Sequence, residues 1–397
     1  MCVYPADGEA VKVVEWLTTL DNNAVQQEKL GMRVDNTGNW FLQSSEYKSW
    51  KGSAKSCTLW CPGIPGVGKT ILAAIIVEDL KQCYRDRSED ILVLSVFCDY
   101  QVSATQGIPG LLRSLLKQVV QDCGQVPPSI RSLYDQFRLE GKPPPLNMII
   151  ETLSQVLPSF GRVYLVLDAL DEYNDNDGDR ELLIAVMRKS LGDNLHLLVT
   201  SRDIGTTIGS LFEGDIRLDV LATDGDISLY IDSRLDSSRR LRRHINEGDN
   251  RLRSDIHTGV TTKADGMFLL AHMHMESLSR TTNVKSLRTE LEELPRNLWD
   301  AYDKTLKRIN LQDEESRTLA LRVFGWIAFA KRPLTVLELR YALAVEPGST
   351  TALNLDNLCA EDILSGVCVG LVVKDETYVS EDFQSDEPTM KFARTCA

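Results

Sequence analysis

A glycine-rich segment that ends in a lysine and a threonine carries the clearest chemical signal in the sequence. It fits the pattern G-x-x-x-x-G-K-[ST] and consists of Gly63, Ile64, Pro65, Gly66, Val67, Gly68, Lys69 and Thr70. Glycines let successive backbone N–H groups face a phosphate, and the helix predicted to follow adds a favourable dipole. We expect Lys69 to contact the β- and γ-phosphates and Thr70 to offer its hydroxyl to Mg²⁺. The segment therefore predicts a nucleoside-triphosphate site.

An acidic cluster follows an apolar run farther along the chain. Residues 163–167 are strand-forming, and Asp168, Asp171 and Glu172 come soon after them. Because Mg²⁺ in a triphosphate site is held by the loop hydroxyl and a carboxylate, we assign Asp168 to the Mg²⁺ shell. Asp171 or Glu172 is then placed to orient or deprotonate the attacking water. Taken alone, the cluster is also compatible with a solvated acidic loop after a strand.

A third apolar run, residues 197–201, is followed by Arg202. If its strand lies beside the others in a parallel sheet, Arg202 reaches the same edge as the phosphate loop and can contact a γ-phosphate. The competing interpretation is a structural ion pair with a nearby acid such as Asp203. The sequence alone leaves both roles open.

The composition is that of a soluble globular protein with an acidic balance. Of 397 residues, 43% are hydrophobic and 25% are charged, which suggests two or three domains with substantial cores. The net charge of −13 gives no general attraction for nucleic acid or anionic lipid, so we expect neither partner. No apolar run has the length of a membrane span, and residues 1–5 do not begin a secretion signal.

Cysteine usage favours a reducing compartment. The nine cysteines are odd in number and irregularly spaced, which argues against a disulfide framework and favours reduced thiols in the cytoplasm. We interpret Cys57 and Cys61 as strand residues before the phosphate loop rather than as metal ligands.

The elements that must position these residues alternate between strand and helix as far as about residue 220. Apolar runs predict strands at residues 57–61, 91–97, 163–167 and 195–200, and helical patterns predict helices at 69–83 and 108–122. Such alternation is typical of an α/β fold with a parallel sheet and helices on both faces. Farther on, the patterns predict helices at 226–241, 252–262, 266–279, 284–294, 298–309, 317–329 and 335–343, and a strand at 367–373.

Taken in order, the three chemical motifs resemble those of NACHT proteins, which are signal-transduction NTPases of the STAND class. The flanking segments strengthen the likeness to fungal NACHT proteins with a nephrocystin-like N-terminal part, among them heterokaryon-incompatibility proteins. The matching flanks are residues 36–42 with Tyr47 and Trp50, 97–100, 263–271, 275–278, 294–295, 332–335, 338–339 and 342–348. The resemblance covers about residues 10–373.

The resemblance implies a P-loop NTPase core followed by an α-helical domain and a winged-helix domain. It divides the chain into an N-terminal helix and lead-in (1–50), the NACHT core (51–220), the helical domain (221–310), the winged helix (311–375) and a divergent tail (376–397). It implies Mg²⁺ with ATP or GTP, and slow hydrolysis that serves a switch in incompatibility-like signalling. Diphosphate would favour a closed monomer and triphosphate a self-associating form. Protein partners would act through an effector and sensor repeats of the ankyrin, WD40 or tetratricopeptide kind.

Two departures from the family pattern limit these expectations. Relatives usually carry a histidine after the last strand that is thought to lock the diphosphate state, whereas no histidine follows His274 here and residues 376–384 differ from that segment. The sequence also lacks sensor repeats and an effector. The resemblance therefore does not extend to the histidine lock or to the sensing role.

Other functions remain open from the sequence. A kinase of small acceptors would need a substrate pocket and a lid with paired arginines, which the sequence does not display. A non-hydrolysing nucleotide-binding scaffold, or a truncated regulator without its sensor repeats, is compatible with the altered tail. A winged helix can bind DNA, but the acidic balance favours protein contacts. The basic residues between 234 and 243 are typical of a solvated helix face.

Overall fold

The computed structural model describes residues 8–85, 90–99, 107–139, 142–173, 178–190, 192–203, 208–248, 251–345, 355–369, 371–375 and 388–392. The chain forms two compact units. The first comprises Met1–Arg33, Gly38–Ile64 and Lys69–Val220, and the second comprises Val34–Thr37, Pro65–Gly68 and Leu221–Ala397. Residues 100 and 346–348 of the family-like segments, and residues 376–384, where the sequence departs from the family pattern, lie outside the described residues.

A five-stranded parallel sheet organises the first unit. Its strands are β1 (Cys57–Pro62), β2 (Ile91–Phe97), β3 (Arg162–Asp168), β4 (Leu195–Ser201) and the short β5 (Ile216–Arg217), in the spatial order β2-β3-β4-β1-β5. Every residue of β4 is buried, as expected for a strand that is covered on both faces. The predicted α/β fold with a parallel sheet is confirmed, and β5 is an addition to the predicted strands.

The helices of the first unit include several that the sequence patterns did not predict. They are α1 (Gly8–Leu17), α2 (Asn22–Gly31), α3 (Asn39–Gln43), α4 (Ser45–Gly52), α5 (Lys69–Cys83), α6 (Ile108–Cys123), α7 (Pro128–Phe137), α8 (Leu146–Val156) and α9 (Asp179–Ser190). Pro128 opens α7 and Pro145 caps α8, because proline is tolerated in the first turn, where its missing N–H is not needed. Proline clusters therefore mark helix starts here.

The carboxyl ends of three adjacent strands meet at one edge of this sheet. β4 lies between β1 and β3, and Pro62 at the end of β1 pairs with Ser201 at the end of β4. The N–H of Gly63 donates to the carbonyl of Ser201 at 3.0 Å, so the phosphate loop leaves the sheet beside β4. Asp168 is the last residue of β3. This edge is where open parallel sheets bind their ligands.

The second unit is mainly helical. Its helices are α10 (Asp224–Ser237), α11 (Arg239–Glu247), α12 (Leu252–Ala264), α13 (Phe268–Ser279), α14 (Val284–Glu292), α15 (Leu298–Asn310), α16 (Glu314–Phe329), α17 (Val336–Ala344) and α18 (Glu361–Val367). The single helix predicted over 226–241 is wrong, because the Ser238 hydroxyl accepts the N–H of Leu241 and starts a new helix there. Arg239, Arg242 and Arg243 of the basic cluster lie exposed on α11.

A small antiparallel sheet completes the described part of the second unit. It contains β6 (Leu334–Thr335), β7 (Val372–Asp375) and β8 (Thr389–Phe392), in the order β6-β8-β7. The strand predicted over 367–373 is wrong in its first part, since α18 extends to Val367 and β7 begins at Val372. β8 falls in the segment assigned to the tail, yet it pairs with both neighbours. The five-part division and the winged-helix assignment remain predictions.

The helices in the described part of the chain are at most 16 residues long. None of them combines the length and the apolar character that crossing a bilayer requires.

Candidate functional site

The phosphate-loop segment has a backbone that glycine adopts readily. Gly66 and Gly68 have φ angles of +82° and +101°, where a Cβ atom would be strained. Lys69 folds back onto the loop, and its Nζ donates to the carbonyl oxygens of Gly63 at 3.0 Å and Ile64 at 3.1 Å. Lys69 is the first residue of α5, so the loop leads directly into a helix N-terminus, whose free N–H groups favour an anion.

The tip of this segment, Pro65–Gly68, belongs to the second unit. There the N–H of Leu269, in the first turn of α13, donates to the carbonyl of Gly66 at 2.9 Å. A Cβ atom built on Gly66 would lie 2.6 Å from the Cβ of Leu269, which is closer than two carbons can pack. Gly66 is therefore required by its φ angle and by this close approach.

Asp168 is a buried carboxylate that two hydroxyl groups hold. It is 1% exposed, and Thr200 Oγ1 donates to its Oδ1 at 2.5 Å. The side chain of Thr70 also hydrogen-bonds to it. Burial raises the pKa of Asp168, while these hydroxyl groups and the nearby Lys69 ammonium lower it.

The donors at this point fit a magnesium ion. In phosphate sites Mg²⁺ takes one or two protein oxygens and completes its shell with phosphate oxygens and water, rather than with an all-protein cage. Thr70 and Asp168 bring a hydroxyl and a carboxylate together in this way. Across the part of the chain that the structure describes, no group of three or more His, Cys, Asp or Glu side chains could enclose a metal. A magnesium ion bound with phosphate does not need such a cluster, and Thr70 and Asp168 are the side chains that would hold it.

Asp171 and Arg202 form a closed pair at the ends of β3 and β4. The backbone N–H of Arg202 donates to Asp171 Oδ1 at 2.9 Å, and Arg202 Nε lies 2.9 Å from Oδ2. The Asp171 side chain is 3% exposed, whereas that of Arg202 is 43% exposed. An ion pair of Arg202 was one of the two predicted interpretations, but its partner is Asp171, while Asp203 contacts Arg217 at 3.0 Å.

Glu172 lies in the same 3₁₀ turn, Leu170–Glu172, and is more accessible than Asp171. Its side chain is 26% exposed, and Oε1 lies 3.9 Å from Arg202 Nη2. Of the two acids predicted to act on water, Asp171 has both oxygens engaged by Arg202. The geometry favours Glu172 for that role.

The predicted residues share one electrostatic environment. Burial lowers the pKa of Lys69, and the carboxylates of Asp171, Asp168 and Glu172 oppose that effect, while Arg202 adds to it. The structure therefore brings Lys69, the three acidic residues and Arg202 together within the first unit, although the loop, the acidic turn and Arg202 are far apart in sequence. A buried ammonium surrounded by carboxylates is suited to a ligand that carries both negative charge and a divalent cation.

Two residues contribute to this arrangement without having been assigned a role from the sequence. The Thr200 hydroxyl contacts Asp168, as described above. Arg180, in the first turn of α9, donates from Nη2 to the carbonyl of Asp171 at 2.7 Å and to that of Tyr173 at 2.8 Å. Thr200 could have been singled out, because it is a polar residue within the largely apolar strand β4. Nothing in the local sequence distinguishes Arg180 from other arginines on helices.

Two sequence comparisons support the predicted family resemblance. Residues 36–202 match the family model described as Nephrocystin 3, N-terminal. The chain is 24% identical over 332 residues to the vegetative incompatibility protein HET-E-1 of Podospora anserina, an alignment that covers 80% of this chain and 24% of the relative. The chain thus spans about a quarter of that relative's length. The resemblance to NACHT NTPases with a nephrocystin-like part is confirmed.

Solved structures give a weaker likeness. The chain is similar to the ORC1 protein of Aeropyrum pernix, determined in complex with DNA, with a TM-score of 0.37, 14% identity and coverage of 96% of this chain and 92% of that one. It is also similar to the Walker-type ATPase paby2304 of Pyrococcus abyssi, with a TM-score of 0.39, 15% identity and coverage of 91% and 93%. Similarity at this level does not extend to ligands or partners.

Proposed function

We propose that this protein binds a nucleoside triphosphate with Mg²⁺ at the phosphate loop and hydrolyses it slowly, as a molecular switch of the NACHT type. The observation that carries the proposal is the convergence of Lys69, Asp168 and Arg202 at the carboxyl edge of the sheet, where Asp168 raises and Arg202 lowers the pKa of Lys69, and Lys69 lowers the pKa of Asp168. The confirmed family resemblance supports the same reading of the site.

Each residue has a distinct task in this proposal. The loop N–H groups and Lys69 bind the phosphates, for which the Lys69 ammonium leaves the two loop carbonyls that it now contacts. Thr70 and Asp168 hold Mg²⁺, which when bound supplies positive charge against the phosphate oxygens. Glu172 orients the attacking water or takes its proton. Arg202, tied to Asp171, senses the γ-phosphate through its exposed guanidinium.

The nucleotide is ATP or GTP. The phosphate loop contacts only the phosphates, so it does not select between adenine and guanine. In the proposed cycle the diphosphate form is a closed monomer and the triphosphate form self-associates. The upstream signal and downstream effector are proteins of an incompatibility-like pathway. The described cysteines are free, which supports the cytoplasm as the proposed compartment.

One observation favours a second candidate, a nucleotide-binding scaffold that does not hydrolyse. Arg202 engages both oxygens of Asp171, and the Asp171 side chain is only 3% exposed, so little of that carboxylate is open to a water. If Glu172 does not act as the base, the site binds triphosphate but does not turn it over. Measurement of phosphate release separates the two candidates, since the scaffold gives none above the spontaneous rate.

The switch is tested by identifying the nucleotide that co-purifies with the protein and by measuring the particle size of the same sample. We expect mass spectrometry to find a diphosphate, and light scattering to find a monomer that becomes larger after exchange into a non-hydrolysable triphosphate. Lys69→Ala is the control, which should carry no nucleotide and keep one size. Equal particle sizes in the diphosphate and triphosphate states would overturn the proposed switch. A parent protein that binds neither nucleotide would also overturn the proposed binding site.

A further inference from the structure

A single hydroxyl group links the end of β3 to the end of β4. Thr200 Oγ1 donates to Asp168 Oδ1 at 2.5 Å and accepts the backbone N–H of Ala169 at 2.9 Å. A hydroxyl has one proton to donate and two lone pairs, so these contacts use its donor and one of its acceptor positions. The carboxylate and the first peptide of the acidic turn are therefore held by one atom.

The surroundings of Thr200 fix that hydroxyl in place. The residue is fully buried, at 0% exposed, inside a strand in which every residue is buried. Its β-branched side chain has restricted rotamers, so the hydroxyl cannot turn away at low cost. A hydrogen bond in such a buried environment is stronger than one in water, and its loss leaves a buried polar group without a partner.

The peptide that Thr200 holds is in an uncommon conformation. Ala169 has a φ of +55°, in the left-handed region that residues with a Cβ rarely adopt. Its carbonyl accepts the N–H of Glu172 at 2.8 Å, which closes the turn that carries Asp171 and Glu172. The bond from Ala169 N–H to Thr200 thus stabilises the start of that turn against its own strain.

We propose that Thr200 is a positioning residue for the metal site, which orients the Asp168 carboxylate toward Mg²⁺ and fixes the turn that presents Glu172. This inference rests on the proposed function, because it assigns Asp168 to the metal. Thr200 itself does not contact the nucleotide in this account. Residues that orient a metal ligand typically change metal affinity by about 10- to 100-fold when they are replaced.

The test uses Thr200→Val, which keeps the shape of the side chain and removes the hydroxyl, and Thr200→Ser, which keeps the hydroxyl. Binding of a fluorescent triphosphate is measured against Mg²⁺ concentration, and binding in excess chelator gives the affinity without metal. Thr152→Val is the matched control, since Thr152 is also buried and its hydroxyl donates to the Met148 carbonyl at 2.8 Å in α8. Melting temperatures are recorded for every variant.

We expect Thr200→Val to need about 10- to 100-fold more Mg²⁺ for half-maximal binding, with little change in chelator. Thr200→Ser should restore the parent value, and Thr152→Val should match the parent. If Thr200→Val does not fold, Thr200→Ala replaces it, because alanine and serine at this position differ only by the hydroxyl. Equal Mg²⁺ requirements with and without the hydroxyl would overturn the inference, whereas a parent protein with no Mg²⁺-dependent binding would overturn the proposed function itself.

Discussion

Arg202 uses both its backbone N–H and its Nε to hold the two carboxylate oxygens of Asp171, each at 2.9 Å. The pair joins the residue after β4 to the turn after β3, so the two strand ends are tied together. Because the Asp171 side chain is almost completely buried, loss of Arg202 would leave a buried carboxylate without its ion-pair partner. The exposed remainder of the guanidinium faces outward, where a phosphate could compete for it.

The first prediction concerns this pair. Arg202→Ala leaves the buried Asp171 carboxylate without its side-chain donor and should lower the melting temperature. Asp171→Asn in the same chain removes the unpaired charge and should recover part of the loss, which gives a coupling of about 1 kcal/mol or more in a double-mutant cycle. Additive effects of the two substitutions would show that the pair does not stabilise the fold.

Nucleotide preference is a separate readout of Arg202. If its guanidinium senses the γ-phosphate, Arg202→Ala should weaken triphosphate binding more than diphosphate binding. An affinity ratio equal to that of the parent would leave Arg202 a purely structural role.

The second prediction separates the two acids. Glu172→Gln should retain triphosphate binding but reduce phosphate release by about 100-fold or more, because the loss of a general base typically costs that much. Single-turnover phosphate release measures the effect, and a binding titration on the same sample is the control. If Glu172→Gln releases phosphate at the rate of the parent, Glu172 does not act on the attacking water, and the proposed mechanism has no residue for that step.

The third prediction concerns Gly66. Alanine at this position requires a left-handed backbone, which costs about 1–2 kcal/mol for a residue with a Cβ, and it also brings Cβ within 2.6 Å of the Leu269 Cβ. We expect Gly66→Ala to lower the melting temperature and to weaken nucleotide binding. Gly325→Ala is the matched control, because Gly325 lies in a helix with open space around its Cβ position. Equal melting temperatures for Gly66→Ala and Gly325→Ala would show that the close approach of Gly66 to Leu269 does not constrain the loop.

The fourth prediction is a pH dependence of stability from His274. Burial lowers the pKa of His274 from 6.5 to about 4, and its Nε2 contacts the Pro295 carbonyl at 2.9 Å. The unfolded chain takes up a proton near 6.5, whereas the folded chain does so only near 4, so the unfolded state binds more protons in between. Stability should therefore fall as the pH drops through that window, by roughly 3 kcal/mol in all.

His274→Gln isolates this effect, since glutamine keeps an N–H donor and does not titrate. Urea unfolding of both proteins at neutral pH and near the lower end of the window gives the comparison. The parent should lose more stability than the variant over the same interval. Parallel losses in the two proteins would mean that His274 does not contribute.

The parallel sheet and the closeness of the candidate site residues could be predicted from the sequence because their signals are local. The phosphate loop has a fixed spacing, and Asp168 and Arg202 each stand at the end of an apolar run. The strand order that places β4 between β1 and β3 is set by long-range packing, so the Asp171–Arg202 pair and the Thr200 contact could not be predicted. Ser238 was missed as a helix boundary, since an N-cap inside a helical pattern is a weak signal.

The structure changes how two of the predicted roles are distributed. Asp171 and Glu172 were equivalent in sequence, but their exposure and partners differ, and for this reason we propose Glu172 rather than Asp171 as the residue that acts on water. Thr200 was part of a recognised motif without a task of its own. Both refinements depend on hydrogen bonds between neighbouring strand ends, which no periodicity in the sequence encodes.

The most direct test of the central claim is an equilibrium titration of a fluorescent triphosphate, with Mg²⁺, against the parent protein, Lys69→Ala and Lys48→Ala. Lys48 is an exposed lysine on α4 and controls for loss of one positive charge. Lys69→Ala removes a charged hydrogen-bond donor to the phosphates and should weaken triphosphate binding by about 10- to 100-fold or more. Lys48→Ala should bind the triphosphate like the parent. Equal affinities for Lys69→Ala and the parent would contradict a triphosphate site at the phosphate loop.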